Sequence, residues 1–341
     1  MAIYKVYPEK DASIYSEFPS RNAGIDEILE INANQNFVGD NVVARSLIKF
    51  SQSDITSTIS KISGSFDVYL RLYLANAEEL PTEYTIYTHP VSRSWEMGTG
   101  RYSNIPETIQ GVSWVSCSLD TTWFATGSSY YHNIAASQSF VYNDVKDLEI
   151  KVTNIVNLWT SSLPNEGLLL KHSESLEYNP DNNIILKYFS KDTHTIYPPC
   201  LEFRWNDISY TTGSGTLISN TNIVVALQNN KATYNQSSIQ KFKLFTRDKY
   251  PVRTFQTSSV YLNGKLLPSS SYWGLRDLNT KEMVVDFDTA YTRIGSDGTN
   301  NYFNVYMNGL ESERYYEVLI KTEINGETII IDDDNYFKVI R

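Results

Sequence analysis

The sequence predicts an all-β chain built from two sandwich modules, and three observations carry that expectation. The 341 residues contain 25 Tyr and 14 Phe against 4 Met, a bias toward residues that suit pleated, half-buried backbone. Short runs alternate apolar and polar side chains at period two along most of the chain. Turn pairs, Asn-Gly among them, separate many of these runs. A hydrophobic content of 41% suffices for real cores, and a chain of this length divides into two or three domains.

In the first module, Asp11–Ser16, Ile28–Ile31, Ala44–Phe50 and Phe66–Leu74 are period-two strands. In the last of these, Val68, Leu70, Leu72 and Leu74 face one way, and Asp67, Tyr69, Arg71 and Tyr73 the other, as in a half-buried sandwich strand. Thr85–Val91 is a further strand and leads into a long irregular excursion, 92–135. After it, Leu148–Val152 is extended. Ile155, Val156 and Trp159 have helical spacing, with Thr153 placed to cap the free N–H groups. So short a helix must be pinned to the sheet by Trp159. Leu168–Lys171, Ile184–Phe189 and Leu201–Trp205 supply three more strands.

A composition break follows. Residues 208–221 are rich in Ser, Thr, Gly and Asn and read as a linker or an edge hairpin, which sets the modules at 1–207 and 222–341. The second module runs through Ile223–Leu227, Phe242–Phe245, Val260–Leu262 with an Asn263-Gly264 turn, Met283–Phe287, Tyr302–Tyr306, Tyr315–Glu323, an Asn325-Gly326 turn, and Thr328–Ile331. That density of strands fits an immunoglobulin-like or fibronectin type III-like sandwich. Leu310, Tyr316, Val318 and Ile320 have the spacing of a tyrosine corner, in which the Tyr316 hydroxyl bonds back to upstream backbone.

Segments as long and irregular as 92–135 are uncommon in compact domains and are usually functional loops or packed flaps. This one carries Trp95, Glu96, Arg101, Tyr102, Trp114, Trp123, Tyr130 and Tyr131. Its rings would either bury on folding or against a neighbouring subunit, or stack on sugars. Burial is the expectation for Trp95 and Trp114, and exposure for Tyr130 and Tyr131 on a Gly-Ser-rich tip.

A catalytic constellation is not legible. His89, His132, His172 and His194 do not pair at metal-ligand spacing and read as satisfied surface or loop histidines. Gly98-Thr-Gly100 neither follows a strand nor opens a helix with a lysine, so it is no phosphate cradle. Asp286-Phe-Asp288 and Asp332-Asp-Asp334 lack the glycine and distal glutamate of a calcium loop and read as solvated turns. A glycosidase needs two carboxylates across a cleft, and Glu96 alone stands beside an aromatic platform. Cys117 and Cys200 read as buried thiols, too few for a disulfide scaffold or a zinc site. No catalytic, metal-binding or cofactor-binding residue is expected. A net charge of −10 argues against nucleic acid, and the absence of a long apolar run against a membrane span. The opening residues lack the apolar core of a secretory signal.

In order along 1–207, several elements resemble the DNRLRE-type jelly-roll domain, which is related to some carbohydrate-binding modules. They are Asp11-Ala-Ser-Ile, Asn22-Ala-Gly24, Arg45–Phe50, Leu70–Leu74, Ser94-Trp95-Glu96, Val152–Trp159, Asn165–Lys171 and Pro199–Trp205. That resemblance implies a jelly-roll β-sandwich for the first module. Trp95–Arg101, Tyr188–Pro199 and Tyr250–Phe255 are similar to virion structural proteins of T4-like marine myophages (cyanophage or pelagiphage type). This second resemblance implies a non-enzymatic particle component, made in the host cytoplasm and assembled in repeated copies with itself and other virion proteins; it leaves head, neck, tail and baseplate open, with neck or tail slightly favoured over head decoration. The other expectation is a carbohydrate-binding adhesion module that grips host-surface polysaccharide.

Overall fold

The computed structural model describes residues 2–341 apart from Phe37, Tyr142, Asn182 and 252–263. Strand accounts for 46% and helix for 8% of the described residues, which fixes the all-β class. Two compact units form: Val6–Lys61 with Asp67–Glu202, and Met1–Lys5 with Ile62–Phe66 and Phe203–Arg341.

Up to residue 205 the elements are β1 (Ala2–Val6), β2 (Pro8–Tyr15), β3 (Ile28–Gln35), β4 (Asn41–Phe50), α1 (Gln52–Ser60), β5 (Phe66–Leu72), β6 (Leu74–Glu78), β7 (Glu83–Pro90), β8 (Ser116–Ser118), β9 (Thr121–Thr122), β10 (Ala136–Val141), β11 (Leu148–Lys151), α2 (Thr153–Ser161), β12 (Leu168–His172), α3 (Glu174–Glu177), β13 (Ile184–Phe189) and β14 (Cys200–Trp205). An eight-stranded sheet runs β10-β7-β12-β4-β3-β13-β6, with β2 also paired to β4. A four-stranded sheet runs β1-β14-β5-β11. Val68, Leu70, Leu72, Leu148, Ile150, Leu201 and Phe203 of the smaller sheet are buried, as period-two strands against a core require.

The run expected as one strand over Phe66–Leu74 breaks at Tyr73. Its first part stays in the four-stranded sheet, and Leu74 opens β6 in the other sheet, its N–H held by the Asp147 carboxylate at 2.8 Å. α2 forms where the spacing places it, with Ile155, Val156 and Trp159 buried. Thr153 does not cap it, because its hydroxyl accepts the Val68 N–H of β5 at 2.9 Å. α1 was not legible from apolar periodicity; its start is marked by Ser51, whose hydroxyl accepts the Asp54 N–H.

The second unit contains β15 (Tyr210–Thr211), β16 (Ile223–Gln228), β17 (Thr233–Asn235), β18 (Ile239–Asp248), β19 (Ser271–Asp277), β20 (Met283–Val285), β21 (Gly295–Asp297), β22 (Asn301–Tyr306), β23 (Tyr315–Ile324), β24 (Glu327–Ile331) and β25 (Tyr336–Ile340). A five-stranded sheet, β15-β21-β22-β18-β16, and a six-stranded one, β17-β25-β23-β19-β20 with β24 on β23, form it. Its core stacks Trp273 on Phe303 at 5.1 Å and Phe303 on Phe242 at 5.4 Å. The Tyr316 hydroxyl donates to the Glu311 carbonyl at 3.0 Å, the back-bond of a tyrosine corner. Asn325 and Gly326 take φ of 54° and 80° and close the β23–β24 hairpin. Segment 208–221 is held by strand pairing: β15 runs parallel to β21, and Leu217 bridges to Leu266. The expected strand at Val260–Leu262 and Asn263 of its turn lie outside the described residues.

Candidate functional site

The excursion after β7 is a flap laid over one face of the eight-stranded sheet. Residues paired in an antiparallel ladder share a face, and Leu169 sits opposite both His89 and Leu47, while Leu47 sits opposite Ala12. Ala12, Ile14, Val43, Leu47 and Leu169 of that face form one apolar cluster with Val91, Trp95, Val112, Trp114, Cys117 and Trp123 of the flap. Trp95, Trp114 and Trp123 are 1%, 8% and 6% exposed, so they are core residues and offer no face to a sugar. Their indole N–H groups follow suit: Trp95 donates to the Glu166 carbonyl and Trp123 to the Ser113 carbonyl, each at 2.9 Å.

One buried amide holds the flap's first half. Asn22 donates through Nδ2 to the Met97 carbonyl at 2.7 Å and the Val112 carbonyl at 2.8 Å, and its Oδ1 accepts the Gly100 N–H at 2.8 Å. The backbone must come very close to do this. A methyl group on Gly98 would sit 2.3 Å from the Gln110 carbonyl oxygen and 2.4 Å from Asn22 Oδ1, and Gly98 also takes φ +79°. Gly98-Thr-Gly100 therefore cradles an asparagine.

Beyond the flap the same sheet face stays open and forms a groove. Tyr87 lies opposite Lys171 in the β7–β12 ladder, and His89 is the next residue on that face. The flap tip, 124–132, and α3 make the walls. Two adjoining hollows of about 290 and 380 Å³ share Tyr130, His132 and Glu174 as lining. Tyr130 stands at the centre, its ring 4.8 Å from that of His89 and 4.1 Å from that of His132. Its hydroxyl accepts from Lys171 Nζ at 3.3 Å. Phe124 and Tyr178 are 77% and 53% exposed at the rim, large rings open to solvent.

Beneath the rings lies a buried charge network. Arg45 makes a bidentate pair with Glu177, at 3.0 and 2.7 Å, and donates to the Gly127 carbonyl at 2.7 Å. Lys171 Nζ adds a contact to Glu177 at 3.2 Å and a longer one to Glu174 at 3.8 Å. Burial, and next to it the Arg45 charge, holds the Lys171 ammonium below its usual range. Burial likewise lowers His89 and raises the Tyr130 hydroxyl, so imidazole and phenol stay neutral near pH 7. Ser128 lines the groove with a buried hydroxyl that has no hydrogen-bond partner.

Of the eight loop residues singled out from the sequence only Tyr130 lines this groove, and two of the four histidines read as satisfied surface or loop residues, His89 and His132, line it as well. Tyr131 is half-buried, its N–H on the Pro90 carbonyl. Glu96 and Arg101 are exposed. Tyr102 belongs to a separate aromatic patch, with its ring 4.8 Å from Tyr15 and 5.6 Å from Phe18. Sequence reasoning missed Tyr87, Lys171, Glu174 and Arg45, and His89, expected at a surface or loop, lies on strand β7 in the groove. The one available signal was Tyr87 and His89 at i, i+2 on a strand whose other face is apolar. His172, expected at a surface or loop, is fully buried. In the second unit, Glu317, Asp332 and Asp334 approach one another, and Arg276 pairs with Glu317 at 2.6 Å and with Asp332 at 2.5 Å. That cluster is an ion-pair network.

No helix among the described residues is long and apolar enough to cross a membrane. Two solved structures align over 97% of the chain: a DUF4785 family protein from Legionella pneumophila subsp. pneumophila str. Philadelphia 1, at 10% identity and TM-score 0.18, and a Bacteroides fragilis protein described as a beta-galactosidase, at 8% and 0.18. The chain spans 65% and 41% of their lengths. Among curated proteins there is no match. Residues 2–138, which include β2, β4, β7 and the whole flap, match the model of carbohydrate-binding module family 96. The first part of this chain is thus similar to carbohydrate-binding modules.

Proposed function

We propose that the first unit is a non-catalytic carbohydrate-binding module and that the Tyr130 groove is its sugar-binding surface. The family 96 match over residues 2–138 carries the reading, because that stretch supplies most of the groove: Arg45, Tyr87, His89, Phe124, Ser128, Tyr130 and His132. The chemistry agrees. Sugar rings present C–H faces to aromatic planes and hydroxyls to fixed polar groups, and the groove offers Tyr130, Tyr87 and Phe124 beside Ser128, Lys171 and Glu174. Glu177 is committed to balancing Arg45 and Lys171, which gives the buried carboxylate a structural task.

Affinity gel electrophoresis against a panel of polysaccharides, followed by calorimetry on the best ligand, tests this. Tyr130→Ala is expected to weaken binding about five- to thirtyfold, as loss of a central aromatic contact costs about 1–2 kcal/mol. Tyr102→Ala, outside the groove, is expected to bind as the wild type does. Unchanged binding by Tyr130→Ala and Tyr87→Ala refutes the assignment of the groove. Release of reducing sugar that is lost in Glu174→Gln refutes the non-catalytic role.

The flap also leaves Ile105, Ile109 and Leu119 at 96%, 55% and 47% exposure, and this favours a second reading, contact with other protein subunits. Assembly in repeated copies, as the resemblance to virion proteins implies, is checked by analytical ultracentrifugation of the wild type and of Ile105→Asp. A wild type monomeric at all concentrations counts against self-assembly.

A further inference from the structure

The cations along the groove are spent within the protein. Arg45, Lys171, Glu174 and Glu177 are its charged side chains, and their formal charges cancel. The Arg45 and Lys171 side chains are only 5% and 3% exposed, and Glu177 holds both, at 2.7 and 3.2 Å. Arg93 stacks on the rim ring Phe124 at 4.2 Å and lies outside the lining of both hollows. Glu174 differs: it lines both hollows, and its side chain is 68% exposed. Among the described residues, the charge that a ligand meets in the groove is therefore a carboxylate.

Hydrogen bonding points the same way. Lys171 Nζ donates to the Tyr130 hydroxyl at 3.3 Å, and that hydroxyl donates to Glu174 Oε1 at 3.4 Å. Glu174 Oε2 has no hydrogen-bond partner among the described residues. An ionised carboxylate only accepts, and hydroxyl groups are donors that it binds strongly. A uronate chain would instead bring a second anion against Glu174 with no uncommitted cation to answer it. The net charge of −10 adds to that repulsion.

We infer that the groove selects uncharged polysaccharide and that Glu174 is its specificity residue. Glu174 Oε2 accepts from the hydroxyls of a sugar whose C–H face lies against Tyr130, and the same charge turns uronate chains away. This rests on the carbohydrate-binding reading of the groove.

The test pairs neutral glucan, mannan and galactan with the same chains oxidised to carboxylate at C6, by affinity electrophoresis and calorimetry on the full chain. Working at about pH 8 keeps histidine charge out of the comparison. Wild type is expected to bind a neutral chain with a Kd that moves less than about twofold between about 50 and about 500 mM NaCl. The oxidised counterpart is expected to bind about tenfold more weakly. Glu174→Gln should lose about fivefold on the neutral chain and Glu174→Ala about tenfold, each narrowing the gap to the oxidised one. Both changes sit on an exposed side chain, so the fold should stand. An oxidised chain bound as tightly as its neutral parent overturns the inference and leaves the groove a sugar site. Both Glu174 variants binding the neutral chain as wild type does, or a cationic glucosamine polymer bound more tightly than any neutral chain, overturns it too. Failure to bind any glycan, charged or neutral, refutes the carbohydrate reading itself and this inference with it.

Discussion

Replacing Asn22 with alanine is expected to unlatch the flap, and the cost follows from the bonds it breaks. Asn22 is fully buried, and the change orphans the Met97 carbonyl, the Val112 carbonyl and the Gly100 N–H, bonded at 2.7, 2.8 and 2.8 Å. Each buried polar group left without a partner costs about 1–3 kcal/mol. Local relaxation that admits water brings each toward the lower bound, so the expected loss is about 3–5 kcal/mol. At roughly 2–4 °C per kcal/mol for a domain of this size, the first unit should melt about 6–20 °C lower. Asn22→Asp should be at least as damaging. It keeps an acceptor for Gly100 but turns a second oxygen on two carbonyls. Urea titration followed by tryptophan fluorescence reads the effect directly, because Trp95, Trp114 and Trp123 lie in the flap's core. Acrylamide quenching of the folded variant would show them newly accessible. An Asn22→Ala midpoint within about 1 kcal/mol of wild type, with those indoles still protected, refutes the latch.

Three further outcomes are expected. Burial depresses His172 to about 4 from an ordinary value of 6.5; neither ring nitrogen has a partner at hydrogen-bonding distance, and the nearby Ile31 and Thr85 carbonyls only partly offset the burial. The stability that the neutral ring confers is whole above pH 6.5 and is lost as pH falls toward about 4. The loss approaches about 3 kcal/mol, seen as a falling urea midpoint that flattens in His172→Asn; an equally steep fall in that variant counts against the assignment. Glu177→Gln leaves Arg45 buried without its carboxylate partner and Lys171 with only the longer contact to exposed Glu174, and is expected to cost about 3–5 kcal/mol, so calorimetry showing a loss under 1 kcal/mol would contradict the network. Tyr316→Phe deletes the bond to Glu311 and should lower the second unit's stability by about 1 kcal/mol, a change that equilibrium unfolding of the full chain resolves when the units melt separately.

The all-β class was legible in the sequence because a half-buried strand writes its own pattern: Val68, Leu70 and Leu72 alternate with Asp67, Tyr69 and Arg71, and each apolar member is buried. Turn chemistry was local too, since Asn325-Gly326 accepts positive φ at both positions with little strain. The Tyr316 corner needs only six residues of chain. What the sequence did not disclose was which face of a strand stays open. Trp95, Trp114 and Tyr130 share one loop and one chemistry. Two of them are core because Leu47 and Leu169 of distant strands meet them, and Tyr130 is at a groove because the flap ends there. Likewise Arg45, Tyr87 and Lys171 converge through ladder registers among β4, β7 and β12, and the Asp11 carboxylate accepts the Lys191 N–H from 180 residues away. Local pattern sets secondary structure because period and turn geometry act over a few bonds; long-range pairing decides burial, and burial decides which aromatic rings remain open to a ligand.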